Sequence, residues 1–85
     1  MTIRERKELL AKPCWAYKDV MAYTGFKKSK AFEIMAICRE QLNGKVIFDK
    51  SKVKRDSVLA YMNTSVEHET YVIKQLESEQ EGDNS

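Results

Sequence analysis

Eighty-five residues, 42% hydrophobic and 33% charged, allow one globular domain with one modest core; no apolar run approaches the ~20 residues of a membrane span. The net charge of +2 hides a polarity, since residues 1–55 carry 14 Lys/Arg against 6 Asp/Glu and residues 56–85 carry only Lys74 against 7 acids. A basic body with an acidic end suits a polyanion-binding surface, with the acidic end either competing for that surface or staying clear of it.

In chain order, Thr2 and Glu5 stand at capping-box spacing, and Ile3, Leu9 and Leu10 continue as a short helix over 3–11. Its Arg4, Arg6 and Lys7, with Lys12 beyond, face either phosphates or plain solvent. Pro13 ends this segment and holds Lys12 away from helical geometry. Trp15, the lone tryptophan, reads as a core anchor rather than a stacking platform for bases. The N-terminal segment TIRERKELL is too charged for a secretory leader, so a cytoplasmic protein is expected.

Tyr17–Thr24 predicts a helix with Asp19 in its first turn, where a carboxylate complements the helix dipole. Gly25 supplies the left-handed residue that stops it. A longer helix follows over 27–42, opened by Lys27, Lys28, Ser29 and Lys30, with Ser29 as the expected N-cap. Ala31, Ile34, Met35, Cys38 and Leu42 recur at helical spacing and form a stripe facing Val20 and Met21. Cys38 on that stripe serves as a small apolar residue. The opposite face carries Ser29, Glu33, Ala36, Ile37 and Glu40. A helix, a glycine turn and a second helix with a basic start is the layout of a helix-turn-helix, although any helical hairpin in a small bundle also wants these features.

Asn43-Gly44 closes the second helix. Lys45-Val46-Ile47-Phe48 alternates, Asp49-Lys50-Ser51 reads as a turn, and Lys52-Val53-Lys54 alternates again. These predict a β-hairpin over 45–55 bearing Lys50, Lys52, Lys54 and Arg55. Asp56 and Ser57 offer an N-cap for Val58–Met62, and Thr64 with Glu67 is a second capping-box spacing that opens a helix over 66–78. Val66, Val72, Ile73 and Leu76 make a thin stripe on it, able to pack on the domain or to pair two copies through 65–77. Residues 78–85 lack apolar side chains and are expected to be disordered. The organisation is then an N-terminal helix at 1–12, a central domain at 13–64, a C-terminal helix at 65–77 and an acidic tail.

Residues 14–62 resemble the small winged helix-turn-helix of phage and transposon excisionases and the DNA-binding part of MerR-type regulators. The matching residues are Tyr17-Lys18-Asp19-Val20, Gly25, Lys28-Ser29-Lys30-Ala31-Phe32, Ile34 and the closing run from Lys54 to Met62, KRDSVLAYM. The resemblance covers about half the chain and rests on loose patterns. It implies a mainly α fold with a small β-hairpin, one helix in a major groove, and the hairpin as a wing against the backbone or minor groove. It also implies DNA bending or transcriptional control. The expected DNA contacts are Lys27, Lys28, Ser29, Lys30 and Glu33 on the helix, and Lys50, Lys52, Lys54 and Arg55 on the wing. The sequence departs from the pattern at Ala16, where a Ser or Thr cap is usual, and at Glu33, where a basic or polar reader is common.

Double-stranded DNA is therefore the expected partner. The alternative is an interaction module on the same fold, binding an integrase, a polymerase or a host factor through Glu33, Ile37, Glu40 and the C-terminal helix. No enzyme, cofactor or metal is expected. His68 stands alone on a polar stretch, Cys14 and Cys38 form no CxxC, and there is no glycine-rich phosphate loop.

Overall fold

The computed structural model describes the backbone of residues 2–83 and side chains through residue 79. It is mainly helical with a small two-stranded antiparallel sheet. In chain order come α1 (Ile3–Ala11), β1 (Cys14–Trp15), α2 (Tyr17–Thr24), α3 (Lys28–Gln41), β2 (Val53–Lys54), α4 (Arg55–Tyr61) and α5 (Val66–Asp83).

Local chemistry sets most boundaries. Thr2 caps α1 by accepting the Glu5 amide at 3.1 Å. Ala16 has no side chain with which to cap α2, and Asp19 reaches back instead, its Oδ2 accepting the Ala16 amide at 3.1 Å. Gly25, at φ +79°, ends α2 in the left-handed region. Asn43 at φ 55° and Asn63 at φ 61° turn the chain after α3 and α4. After α4, the amides of Asn63 and Thr64 reach back to the carbonyls of Ala60 and Leu59.

Trp15 organises the core. Its side chain is fully buried, its Nε1–H donates to the Leu9 carbonyl at 2.7 Å, and its ring lies 5.0 Å from that of Tyr23. Around it pack Val20 from α2, Ala31, Ile34, Met35 and Cys38 from α3, Val53 from β2, and Val58 and Leu59 from α4. The two facing stripes expected on α2 and α3 are thus the core itself. Burial also raises the Cys38 thiol pKa above its ordinary value.

Several expectations need correction. The hairpin over 45–55 is reduced to one antiparallel bridge, Lys45 to Val53. The partner of β2 is β1, in the register Cys14–Lys54 and Trp15–Val53. The Lys54 amide donates to Gly44 O at 2.8 Å, so β2 lies between β1 and the segment leaving α3. Alternation should turn Val46 and Phe48 to one face, yet Val46 is 4% exposed and Phe48 88%. Turns at 47–51 pull the chain off the ladder there, closed by weak bonds from the Asp49 amide to Val46 O at 3.4 Å and from the Lys52 amide to Asp49 O at 3.3 Å.

Other caps shift as well. Ser29 lies inside the first turn of α3, and Lys27 holds the N-cap without a capping side chain. Helix α4 starts at Arg55, with Ser57 buried and donating to Lys54 O at 2.5 Å rather than capping. At α5 the cap is Ser65, whose Oγ accepts the His68 amide at 3.2 Å. Thr64 instead donates to Glu69 at 3.2 Å. The helix continues through Asp83, where residues 78–83 were expected to be disordered; residues 84–85 lie outside the described residues. The α5 stripe closes on its own domain, with Ile73 buried and Val66 packed against the core. Lys7 pairs with Glu77 across the α1–α5 contact, and Tyr23 OH donates to Glu69.

Candidate functional site

The most distinctive surface lies on α3 and the loop after it. Core packing of Ala31, Ile34, Met35 and Cys38 turns Ser29, Phe32, Glu33, Ala36 and Glu40 outward, with Ile37 half-buried. Eleven residues separate Lys28 from Arg39, so the two ends of this face are ~17 Å apart along the helix.

At the first end the local electrostatics oppose helix stability. The N-terminus of α3 has no capping side chain and no acid in its first turn. Instead Lys27, Lys28 and Lys30 add positive charge where the helix dipole is already positive. Lys28 Nζ lies 5.3 Å from the Tyr17 ring centroid and 5.9 Å from that of Phe32. The two rings stack on each other at 5.1 Å and 23°. This aromatic seat places the Lys28 ammonium while leaving its N–H donors available. Lys30 is half-buried and pairs with Glu33 at 3.6 Å.

At the other end, the guanidinium of Arg39 donates to the Lys50 carbonyl at 2.9 Å and ties the 45–52 loop to α3. Ala36, Arg39, Glu40, Lys45, Val46 and Lys50 line the groove between them. Within the loop, Asp49 Oδ1 accepts from the Ser51 hydroxyl at 2.6 Å and the Ser51 amide at 3.0 Å, while Lys52 pairs with its other oxygen at 3.8 Å. The Ser51 bonds first, then Lys52, hold the Asp49 carboxyl below its ordinary pKa.

Among the described residues, ion pairing occupies some cations and leaves others open, Lys18 on α2 and Lys74 on α5 among the latter. On α1, Arg4 pairs with Glu8 and Lys7 with Glu77, and just beyond it Lys12 pairs with Asp19. Among the described residues, Lys27, Lys28, Lys45, Lys50 and Lys54 have no carboxylate partner, and all five are exposed. Of the nine residues singled out in the sequence, Lys27, Lys28, Ser29, Lys30 and Glu33 share the start of α3, and Lys50 and Lys52 share the loop. Lys54 lies on β2. Arg55 does not belong with them, for its guanidinium donates to Leu10 O at 2.5 Å and also pairs with Asp56, so it joins α4 to α1. Sequence reasoning missed the aromatic seat and Arg39. The signal for Arg39 was weak but present, a cation in the last turn of a helix that a basic loop must leave.

Among the described residues, no three His, Cys, Asp or Glu side chains gather as a metal site, and no helix is long and apolar enough to cross a membrane. Comparison with protein-family models, curated proteins and solved structures finds no significant match.

Proposed function

We propose that this chain is a DNA-binding protein in which α2 and α3 form a helix-turn-helix and the 45–54 segment acts as a short wing. The observation that carries the reading is the cluster of unpaired, exposed lysines at the two ends of α3. Lys27 and Lys28 at the start of α3 and Lys45 and Lys50 beside its end lack carboxylate partners among the described residues, whereas Arg4, Lys7 and Lys12 are paired, as are Lys30 with Glu33 and Lys52 with Asp49. A chain that leaves lysines crowded against a helix N-terminus forgoes local stability, and a polyanion there would restore it. The ~17 Å between Lys28 and Arg39 exceeds the ~12 Å width of a major groove, so the two ends can meet phosphates on opposite walls. Helix α5 carries six of the thirteen acids, and Glu77 engages Lys7 on α1, so its placement suits a tail that stays clear of the α3 lysines.

Salt dependence tests the reading. With about five phosphates neutralised, a counterion-release slope near 0.9 per contact lowers affinity by roughly 500-fold between 50 and 200 mM salt. Fluorescence anisotropy on a labelled mixed-sequence duplex measures this. Absent or salt-insensitive binding would remove the DNA reading.

One observation favours a second reading, an interaction module for a protein partner. Glu33 lies beside the half-exposed Phe32 and Glu40 near the end of the same α3 face, and such a surface also suits a partner with basic and apolar groups. Loss of partner binding in Glu33 or Ile37 variants, with no duplex binding by the parent chain, would identify it.

A further inference from the structure

The apolar side chains most open to solvent among the described residues are neighbours. Ile47 is 89% exposed and Phe48 88%, well above Phe26 and Phe32 at 45%. They are not on a loose end. Val46, immediately before them, is buried, the Lys45–Val53 bridge closes the loop at its base, and Arg39 holds Lys50 O from α3. On the far side, Asp49 braces the turn through Ser51. The bracing keeps both side chains from folding back onto the core, so the loop presents a fixed apolar tip.

What surrounds the tip selects its occupant. Lys45, Lys50 and Lys52 flank it, and the one carboxylate between Gln41 and Arg55, Asp49, is engaged by Ser51 and Lys52. An apolar point ringed by cations complements a stacked base step between phosphate strands. Position agrees with chemistry, because the loop is tied to the C-terminal half of the same helix that would sit in the major groove. A duplex held by α3 carries one phosphate strand past the loop, and beyond that strand lies the minor groove.

We propose that Ile47 and Phe48 form a wedge that enters a base step from the minor groove and bends the duplex held by α3. The inference rests on the DNA-binding reading above and adds a residue-level cause for bending. Apolar side chains inserted at a step unstack it and kink the helix by about 20–90°. Pyrimidine–purine steps such as TA unstack most readily, so they are the preferred sites.

The test uses the full chain and a duplex of about 30 base pairs with a central TA step, labelled at its two ends for energy transfer. Anisotropy on the same duplex gives affinity, and the end-to-end distance gives the bend. The wild-type chain shortens that distance. I47S/F48S alters only exposed positions, so its melting temperature stays at the wild-type value. It should bind within about tenfold of wild type and leave the duplex straight, as expected when phosphate contacts supply most of the affinity. Wild-type binding without bending, or bending retained in the double variant, overturns the wedge and leaves the DNA reading standing. If the wild-type chain binds no duplex, both fall. Anionic phosphatidylserine vesicles serve as a parallel arm. Tip-dependent vesicle binding without duplex binding would make the loop a membrane-inserting one and overturn the wedge.

Discussion

Replacing Lys27 and Lys28 together by glutamate sets stability against function at one place. In the free protein both lysines face solvent at an uncapped helix start, with no acid in the first turn. Two carboxylates there would each gain about 0.3–1 kcal/mol from the helix dipole. Removing the Lys28 ammonium from the Tyr17 and Phe32 rings would cost about 0.5–1 kcal/mol, the range for a surface cation on aromatic rings. The net change lies within roughly 1.5 kcal/mol of zero and leans toward stabilisation. At about 4–8 °C per kcal/mol for a domain of this size, the melting temperature should hold or rise by several degrees. DNA affinity should move the other way. With two fewer phosphates neutralised, at ~0.9 each, binding weakens about 200-fold at 50 mM salt and about 20-fold at 200 mM, before any repulsion from the new charges. Thermal melting by circular dichroism and anisotropy titrations at the two salts read both quantities on one sample. A folded variant that binds duplex as tightly as wild type would leave the start of α3 without a recognition role and refute the reasoning.

The two glycine turns should respond differently to alanine. G25A meets no atom within 4 Å but must hold φ +79°, costing about 1–2 kcal/mol, whereas G44A drives its Cβ into Ser57 Oγ and to 3.0 Å from Cys38 O. Overpacking at Gly44 should cost about 1–3 kcal/mol and disturb the junction with β2, both values measurable by urea melts. Burial, the Glu69 hydrogen bond and the Glu69 charge push the Tyr23 phenol above its ordinary value. Its folded pKa being raised, its contribution is complete below the unfolded phenol value of ~10 and is lost as pH climbs beyond it; Y23F should be less stable at neutral pH and should flatten the alkaline limb of stability against pH. Removing residues 77–85 deletes the half-buried Glu77 and its pair with Lys7 but keeps Ile73, so stability should fall by about 1 kcal/mol while nonspecific DNA affinity at low salt rises.

The helices were legible because their signals are local. Spacing at 31, 34, 35 and 38 marked the buried stripe of α3, with Leu42 partly buried just past its end, and Gly25 marked the stop of α2. The small sheet was not legible for the same reason. Lys45–Val53 lies within reach of a local pattern, but Cys14–Trp15 pairs with Val53–Lys54 across nearly forty residues, and a two-residue strand has no period to read. Arg55 misled because charge and position both placed it with the wing. Only the approach of Leu10 O, 45 residues distant in sequence, draws its side chain inward. The helical continuation over 78–83 was missed because composition alone counted against it. Glu, Gln and Ser can extend a helix whose preceding turns are anchored, here by Ile73 and Glu77.

The α3 face sets two acids, Glu33 and Glu40, among its cations, and that pattern bears on how a DNA-binding chain of this kind would choose its site. Lys27 and Lys28 at one end and Lys45 and Lys50 at the other can supply affinity to any duplex, since phosphates carry no sequence information. Glu33 and Glu40 oppose that affinity wherever they meet the backbone. A carboxylate at a base edge can accept from the cytosine amino group but finds only acceptors on guanine, a discrimination of about 1–3 kcal/mol per good contact. Lys30 holds Glu33 at 3.6 Å and so offsets part of its repulsion without removing its acceptor oxygens. Binding strength would then reside in residues that can be reversed without harm to the fold, and selectivity in two acids that weaken binding everywhere except at the right base. Charge reversal at the lysines should lower affinity for all duplexes alike, whereas neutralising Glu33 and Glu40 should raise nonspecific affinity and narrow the gap between sites.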